Sequence, residues 1–489
     1  MAIQIASTRR RSAVSSRVID DDPEMRSRLG MQKLLPLWVF LLVLLLGALF
    51  TVIFAWCVKS TLDGSTRFGR LGKAAVVIAS FPDTVRISLR ELRQDADSGL
   101  RVPRTGADLS EFRPMKLKQG IHVQGPVVRA DRAALARASG WRVLVGGFVV
   151  DGEFTHAALA LSPELEIVKV WKLTEQDIQG EEPLPSFRKY VHGFAILKDG
   201  SVIFSFDEGV SLQRFDACGR RIWSVGGNFN HAVTLDEDES FVWTLRREVA
   251  DGELLHETVV KVATATGKIV RRITMEDIVA ANPTLHILDI RERDRNFARA
   301  NPRNTSEEWL DNPFHLNDVE PLPAAIADRF EGFAAGDLLL SARSLNLVFV
   351  VDPDTLEVKW SRIGAWRRQH DPDWQPNGEI TVYDNRMSLD YSRIVGVVPA
   401  SQSTRVVFDG RTADFYSRIR GKHQITQPGN LLITSPQQGR VFEVEPSSHM
   451  VLEIFNPKPG SDEFNYPISE AIWFPLDAFN FAEDFSCAK

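Results

Sequence analysis

Five of the ten histidines occupy the same place in a phrase that recurs along this sequence. In its clearest form the phrase is a histidine, six further residues, a turn pair of Asp or Asn with Gly or Glu, and then an apolar stretch. The five histidines are His192, His231, His315, His370 and His423. Because neutral imidazole is at once a base, a metal ligand and a nucleophile near pH 7, their equivalent positions predict a metal site, a proton-transfer site or a nucleophile with helpers.

Each histidine also has a structural interpretation, in which it bonds the backbone where one unit of the chain passes to the next. A metal site is the less favoured chemistry, because first-row metals usually take a carboxylate or thiolate as well, and only Asp318 and Asp371 lie close to these histidines in sequence. No calcium-type cluster accompanies the tryptophans, as a quinone cofactor would require, and no phosphate-binding G-x-x-x-x-G-K-[ST] loop is present. We therefore expect neither a metal nor a cofactor.

A second repeat supplies the elements that position these histidines. It consists of an apolar strand, a turn rich in Asp, Ser, Pro or Gly, and a second apolar strand that often ends in a packing tryptophan. Six copies occur, at residues 157–171, 211–223, 259–273, 347–360, 393–408 and 441–455. Their starts lie 46 to 54 residues apart, apart from one interval of 88 that contains an insertion between about residues 274 and 336. Units of roughly 40 to 50 residues built from hairpins are typical of β-propeller blades.

The sequence therefore predicts an all-β fold, a six-bladed β-propeller over residues 140–489. Equivalent positions in successive blades lie around a common axis, so the histidines are expected to converge on the central channel, where ligands usually bind in propellers. The insertion is expected to form an exposed loop, which could serve as a lid.

An apolar segment precedes the propeller. Residues 34–58 form a run of 25 residues without a charge, which is long enough for one transmembrane helix. A cytoplasmic tail of residues 1–33 precedes it and a juxtamembrane segment, residues 59–139, follows it. The run is longer than the core of a cleaved signal peptide, so we interpret it as an uncleaved single-pass anchor. Arg9, Arg10 and Arg11 favour an internal N-terminus, which predicts an inner (cytoplasmic) membrane protein with its large domain on the periplasmic side.

Composition limits the partners and the redox chemistry. The chain has 58 Lys and Arg against 64 Asp and Glu, so its formal net charge of −6 does not favour nucleic acid as a partner. Three cysteines are too few for a disulfide framework. On the exported side of a membrane Cys218 and Cys487 could pair, although a free buried thiol is the simpler expectation for each.

Several segments together carry a resemblance to a known family, the bacterial arylsulfate sulfotransferases, and in particular to its membrane-anchored branch. These segments are His315-Leu316-Asn317-Asp318, Ser341-Ala342-Arg343, Gln369-His370-Asp371, Asn377-Gly378, Tyr383-Asp384-Asn385, Tyr391-Ser392-Arg393, Gly429-Asn430-Leu431-Leu432 and the run from Gly439 to Val444. The resemblance covers roughly residues 120 to 480. The insertion has no counterpart in it.

The resemblance implies an aryl sulfotransferase that moves a sulfuryl group from an aryl sulfate to a phenol without a nucleotide sulfate donor. His370 matches the family's nucleophile, which carries the group as a transient sulfohistidine. Arg343 and His315 match groups around the sulfuryl oxygens, and a further family histidine matches His231, with His192 as a less favoured fit. Aryl sulfates and phenols would then be the small-molecule partners.

The residue types agree with this chemistry. Negative charge spreads over the sulfuryl oxygens in the transition state, where a fixed cation such as Arg343 stabilises it, while a neighbouring imidazole can exchange protons with the phenols. Asn317 and Asp318 are expected to be turn residues or to orient His315. Two other functions remain open from the residues alone. One is a membrane-anchored propeller that binds a ligand or a protein partner without turnover, and the other is a metallohydrolase, which predicts stoichiometric metal.

Overall fold

The computed structural model describes residues 36–62, 65, 67–92, 102–104, 108–174, 190–207, 209–250, 253–286 and 314–479. The chain divides into two compact units, a small one that runs to Asp83 and a larger one that contains every described strand. Helix α1 (Leu37–Leu62) belongs to the small unit and helix α2 (Gly69–Leu92) begins in it.

Helix α1 confirms the predicted apolar helix. It has 26 residues, and none of its most apolar 18-residue window is buried in the protein. Its length and composition are sufficient to cross a membrane. Pro36 stands immediately before it, where the fixed φ of proline and its missing N–H suit a helix start.

The larger unit begins with short elements that pair with distant strands. These are the strands β1 (Val102–Pro103), β2 (Arg113–Pro114), β3 (Lys116–Leu117), β4 (Val123–Gln124) and β5 (Val127–Ala130), and helix α3 (Arg132–Arg137). Strands β2 and β5 extend the sheet of the last blade, and β3 and β4 join the sheet of the first. The propeller sheets therefore recruit residues from the segment 59–139, which the sequence analysis placed outside the propeller.

Six antiparallel sheets follow, which confirms the predicted six-bladed β-propeller. The strands of blades 1 to 3 are β6 (Trp141–Val150), β7 (Glu153–Leu161) and β8 (Glu166–Lys172); β9 (Tyr190–Ile196), β10 (Val202–Asp207), β11 (Ser211–Phe215) and β12 (Arg221–Gly226); β13 (Asn228–Leu235), β14 (Phe241–Ala250), β15 (Glu253–Ala263) and β16 (Ile269–Ile273). Helix α4 (Met275–Ala281) leaves blade 3, with Thr274 and Asp277 forming a capping box at its start.

The strands of blades 4 to 6 are β17 (Leu316–Pro321), β18 (Leu338–Ala342), β19 (Leu347–Val351) and β20 (Val358–Ile363); β21 (His370–Trp374), β22 (Ile380–Asp384), β23 (Arg393–Val398) and β24 (Ser403–Asp409); β25 (Lys422–Ile425), β26 (Leu431–Ser435), β27 (Arg440–Val444) and β28 (Met450–Phe455). Strand β29 (Phe464–Asn465) pairs with β1, and β30 (Ile468–Phe474) returns to blade 1.

Both chain ends of the domain close the ring. Strand β30 pairs antiparallel with β6 and becomes the inner strand of blade 1, while β5 pairs with β28 at the outer edge of blade 6. Gly146 allows the first of these approaches, because a Cβ at this position would lie 2.6 Å from the carbonyl oxygen of Pro467. Strands from the two ends of the domain therefore complete blade 1, and a strand from its beginning extends blade 6.

The hydrophobic core lies between blades, where each sheet packs its inward side chains against the next. The blade-packing tryptophans are buried as expected, with Trp171 donating its indole N–H to the Gly200 carbonyl and Trp223 donating to Thr264. The inner strands β9, β13, β17, β21, β25 and β30 contact one another in turn around the ring. Their side chains therefore form the wall of the central channel.

Candidate functional site

Bulges in the inner strands supply most of the side chains at one level of the channel. In five of the six inner strands the pairing register shifts, which leaves one or two residues without a partner on the next strand. The bulged residues are His192, His231 with Ala232, Asn317, Asp371 and Ser469. A bulge redirects a side chain, and all of these except Ala232 line one small cavity, which we call the histidine cavity.

Strained backbone accompanies the bulges. His231, His315 and Asp371 adopt φ values of 65°, 48° and 52°, in the left-handed region that favours glycine. Non-glycine residues hold this conformation only where the surrounding structure enforces it, and such residues cluster at functional sites. The histidine cavity has a volume of only ≈ 10 Å³, so the side chains around it are in close contact.

Four of the five predicted histidines come together here. The ring centroids of His192 and His231 lie 4.2 Å apart, and those of His231 and His315 lie 5.1 Å apart. His370 lines the same cavity as His192 and His231. His192, the less favoured match to the further family histidine, therefore belongs to the cluster as much as His231 does.

Arg343 brings a positive charge to this cluster. It follows β18 in the blade that His315 opens, and its backbone N–H donates to the His315 carbonyl at 3.0 Å. Next to burial, its charge is the largest cause that lowers the pKa of both His315 and His370. One guanidinium thus acts on two of the predicted site histidines.

All four clustered histidines are neutral at pH 7. Burial removes water from the charged form and lowers the pKa of His315 to about 2 and of His192 and His370 to about 3. Burial also lowers the pKa of His231 well below its usual range, and the neighbouring histidines add to this effect. The cavity therefore offers neutral imidazole lone pairs in an environment that already disfavours positive charge.

The hydrogen bonds of Asn385 fix which nitrogen of His370 carries its proton. The Asn385 Nδ2 group donates to the carbonyls of Ser417 at 2.8 Å and Arg420 at 2.6 Å, so its Oδ1 must act as an acceptor. His370 Nδ1 lies 2.7 Å from that oxygen and is therefore the protonated nitrogen. The lone pair is on Nε2, to which the backbone N–H of Arg420 donates weakly at 3.3 Å.

Asn317 and Gln369 position the start of β21. Asn317 donates from Nδ2 to the Gln369 carbonyl at 2.7 Å, and Gln369 donates from Nε2 to the Leu347 carbonyl at 3.0 Å. Asn317 was expected to be a turn residue or to orient His315. It instead fixes the residue that precedes His370, because its bulged position directs it across to the next blade.

Arg420, Asp207 and Tyr190 form a further group, which the sequence pattern did not predict. The Arg420 guanidinium donates to Asp207 Oδ2 at 2.7 Å and lies 3.8 Å from the centroid of the Tyr190 ring. Asp207 Oδ1 lies 4.0 Å from His192 Nδ1. Burial alone would raise the pKa of Asp207, but His192 and Arg420 lower it to about 2. Arg420 lies 213 residues from Asp207 in sequence, and none of the three belongs to a repeated phrase.

His423 does not join the cluster, although it lines a second, larger cavity of the same channel. Its Nδ1 lies 2.8 Å from Asp371 Oδ2 and its Nε2 lies 2.8 Å from Thr381 Oγ1. The spacing to the following turn is shorter than in the other repeats, so Gly421 occupies the position that corresponds to His192 and His370. A side chain could not fit there, because a Cβ on Gly421 would lie 2.2 Å from the Tyr383 ring.

A larger cavity opens at the carboxyl ends of the inner strands. It has a volume of ≈ 480 Å³ and shares Asp371, Lys422 and His231 with the histidine cavity. Its carboxyl groups are Asp318, Glu320, Asp371, Asp373 and Glu470. We call it the carboxylate cavity. The two cavities are two levels of the same channel.

Charge repulsion and burial alter the pKa values in this second cavity. Burial raises the pKa of Asp318 and of Glu470 to about 7 in each case, and it raises those of Glu320 and Asp373 well above the usual range. Asp371 is the exception. Lys422 and His423 lower its pKa to about 2 against the opposing effect of burial.

One set of residues has the spacing of a metal site. Ligand atoms of Asp371, Asp373 and His423 lie within 4.8 Å of one another. Both ring nitrogens of His423 are already hydrogen-bonded, and Asp371 also pairs with Lys422 at 2.8 Å. A metal would have to replace these bonds, so the donor set is poorly prepared to receive one.

Two expectations fall partly on residues that the structure does not describe. Residues 287–313, the centre of the insertion and of its expected lid, lie outside the described ranges, as does Cys487. Cys218 is disulfide-bonded, which corrects the simpler expectation of a free thiol, and Cys57 is free.

Comparisons with solved structures show weak overall likeness. A protein of unknown function from Bacteroides caccae shares 15% identity and a TM-score of 0.40, covering 68% of this chain and 100% of its own. TolB from Acinetobacter baumannii shares 10% identity and a TM-score of 0.40, covering 69% and 67%. Virginiamycin B lyase from Staphylococcus aureus shares 8% identity and a TM-score of 0.33, covering 59% and 84%. No curated protein matches the chain.

A family model gives the specific result. The model described as Arylsulfotransferase (ASST) matches residues 193–456, more than half of the chain and the part that carries His231, His315, Arg343 and His370. This match supports aryl sulfotransferase activity in general and small molecules as substrates. The chain belongs to the arylsulfotransferase family.

Proposed function

We propose that the propeller transfers a sulfuryl group from an aryl sulfate to a phenolic acceptor through a sulfohistidine on His370, without a nucleotide sulfate donor. The observation that carries this proposal is the hydrogen-bonded state of His370. Asn385 holds the proton on Nδ1, and the low pKa keeps the Nε2 lone pair free of a proton at neutral pH. A histidine nucleophile needs this state.

In the first half-reaction His370 Nε2 attacks the sulfur of the aryl sulfate. The N–S bond forms as the bond between sulfur and the aryl oxygen breaks, and the electron pair leaves with the phenolate. The ring then carries a positive charge, and its Nδ1–H continues to donate to Asn385. Because negative charge accumulates on the sulfuryl oxygens and the leaving oxygen, the cation of Arg343 stabilises the transition state more than the substrate.

In the second half-reaction a phenol replaces the phenolate. A neutral histidine, for which His315 and His231 are the candidates, accepts the phenol proton while the oxygen attacks sulfur. The N–S bond breaks and neutral His370 is restored. Their pKa values are low in the empty cavity. A bound sulfuryl anion would raise these pKa values toward 7, because a negative charge favours the protonated form of a histidine. The proton finally passes to the first phenolate through solvent.

Transfer from 4-nitrophenyl sulfate to phenol tests the proposal in the protein that lacks residues 1–59. We expect nitrophenolate release that depends on the phenol in the parent protein, and a loss of at least about a thousandfold in His370→Ala. Circular dichroism and thermal unfolding serve as the control for folding. A folded parent protein that releases no nitrophenolate with any phenol would favour the other function, a propeller that binds a ligand or partner without turnover.

We further propose that α1 anchors the protein in the inner membrane with the propeller on the periplasmic side. The disulfide at Cys218 supports this location, because disulfides persist in oxidising compartments and are rare in the cytosol. Protease added to spheroplasts with an intact inner membrane should digest the propeller. Digestion only after lysis of the inner membrane would place the domain in the cytoplasm.

A further inference from the structure

We propose that the carboxylate cavity is the acceptor site and that it selects phenols that carry a protonated amine. This inference rests on the proposed function and specifies the substrate class of its second half-reaction. It concerns the level of the channel at the carboxyl ends of the inner strands, on the far side of Asp371 and Lys422 from most of the histidines.

The cavity has the size and walls of a small-molecule site. Its ≈ 480 Å³ lies within the usual range of ligand pockets. Phe194, Trp374 and Phe474 contribute aromatic surface to its lining, together with isoleucine side chains. An aromatic ring of a phenol would find apolar contacts here, whereas the histidine cavity has no comparable space.

The acidic groups of the cavity outnumber the basic ones, and burial raises the pKa of four of its carboxyl groups because their negative charge is not compensated. Five carboxyl groups line it, against the single lysine Lys422. Lys422 pairs with Asp371 at 2.8 Å and lies 3.9 Å from Asp318. Among the described residues neither Glu320 nor Glu470 has an ion-pair partner. A bound ammonium would lower these pKa values and pair with the carboxylates that ionise, and this attraction would be stronger in the buried cavity than at the surface.

His231 gives an independent indication of a ligand. It is 5% exposed, and within the described part of the chain neither of its ring nitrogens has a hydrogen-bond partner. Buried polar atoms without partners are costly, so such a group in a cavity wall indicates a partner that the protein itself does not supply. His231 lines both cavities. A phenol hydroxyl that enters from the carboxylate cavity can therefore reach His231 while its amine stays among the carboxyl groups.

The charges around the two cavities favour different substrates. Two arginines, Arg343 and Arg247 of β14, lie close enough to His315 for their positive charges to lower its pKa. Arg247 also lowers the pKa of His231. Cations of this kind attract the sulfate ester, and ionised carboxylates such as Asp371 repel it. The anionic donor and the cationic acceptor thus favour opposite levels of one channel, and each reaches His370 in its own half-reaction.

Three acceptors of similar shape and different charge test the inference. These are 4-(2-aminoethyl)phenol, 4-ethylphenol and 3-(4-hydroxyphenyl)propionate, each with 4-nitrophenyl sulfate as donor. We expect kcat/KM to be about tenfold or more higher for the amine than for the neutral phenol, and lowest for the anion. In Glu470→Gln with Asp373→Asn the ratio of kcat/KM for the amine to kcat/KM for 4-ethylphenol, measured in the same variant, should fall to near parity. Asp354→Asn, an exposed carboxylate on blade 4, is the matched control and should keep the preference.

Direct binding separates this inference from the proposed function. Calorimetric titration with 2-phenylethylamine, which has no hydroxyl to sulfate, should show binding to the parent protein and to His370→Ala, and its loss in the double variant. Absence of turnover together with amine binding would reject the proposed function alone. Equal kcat/KM for the amine and the neutral phenol, or no amine binding, would overturn the inference. So would stoichiometric Mn²⁺ or Ca²⁺ binding that Asp373→Asn abolishes and amines do not compete with, since the cavity would then be a metal site.

Discussion

The histidine cavity and the carboxylate cavity lie in one channel but treat charge in opposite ways. In the first, buried imidazoles near Arg343 have pKa values lowered to about 2 or 3, so they stay neutral. In the second, buried carboxyl groups such as Glu470 have pKa values raised to about 7. Burial is the main cause in both, because it disfavours whichever form is charged. The sign of the neighbouring charges then decides which kind of ligand each level stabilises.

The largest effect on catalysis should come from replacing Arg343, the cation beside the clustered histidines. Arg343→Met should lower kcat by about 10²- to 10³-fold, because transition-state charge on the sulfuryl oxygens loses its fixed partner. Binding of 2-phenylethylamine in the carboxylate cavity should stay within about twofold. Arg343→Lys is the matched variant and should recover part of the rate. A similar loss of amine binding in Arg343→Met would show that the two levels are not separable.

A smaller effect should follow from removing the hydrogen-bond acceptor that holds the His370 proton on Nδ1. Asn385→Leu removes the acceptor for Nδ1–H and the two bonds to the Ser417 and Arg420 carbonyls. We expect kcat to fall by about 10- to 100-fold with little change in KM for the donor, because the nucleophile is misoriented while the cation remains. Steady-state kinetics and thermal unfolding of the same sample separate this effect from misfolding. A change confined to KM would contradict the positioning role.

The dependence of the free energy of unfolding on pH distinguishes the histidine cavity from the carboxylate cavity. The histidines have folded pKa values below their unfolded value near 6.5, so they weaken the fold as the pH falls from about 6.5 toward 3. Glu470 has a folded pKa of about 7, above its unfolded value near 4, so it weakens the fold as the pH rises through that window. Glu470→Gln should therefore gain about 3 kcal/mol in free energy of unfolding at pH 8 and almost nothing at pH 4. Urea unfolding at both pH values measures it, and an equal gain at both would contradict this assignment.

The smallest effect on catalysis should come from the histidine that lies outside the cluster. His423→Gln should change kcat by less than about threefold, since its ring bonds Asp371 and Thr381 rather than facing the reacting groups. The variant should instead lose about 1 to 2 kcal/mol of stability through its broken buried hydrogen bonds. Donor turnover and chemical unfolding together test this. A rate loss as large as that of His370→Ala would return His423 to the site.

The sequence was informative where structure repeats and less so where distant parts meet. The period of the apolar phrases predicted six blades. The shared position of the histidines led to His192, His231 and His370, which line one cavity, and to His315, whose ring lies beside that of His231. The spacing of the repeat did not separate His423 from the other four histidines, because it does not reveal that β25 lacks the bulge found in the other inner strands. Arg420 and Asp207 were missed, since they are 213 residues apart and only ring closure brings them together.

The excess of carboxyl groups in the second cavity had no sequence signal of its own. Asp318 and Asp371 were visible near histidines, but Glu320, Asp373 and Glu470 come from three inner strands and look like ordinary charged positions in the sequence. Their meaning depends on burial, which the alternation of the strands predicts poorly where a bulge changes the register.

The most direct test of the account is to trap the sulfuryl group on His370. The propeller is mixed with 4-nitrophenyl sulfate in the absence of a phenol, quenched within the first turnover and digested for peptide mass spectrometry. The account predicts a burst of one nitrophenolate per chain and a peptide that contains His370 with the mass of one added sulfuryl group, which disappears when phenol is supplied. Sulfation of another residue, or turnover with phenol but with no burst and no labelled peptide, would contradict it.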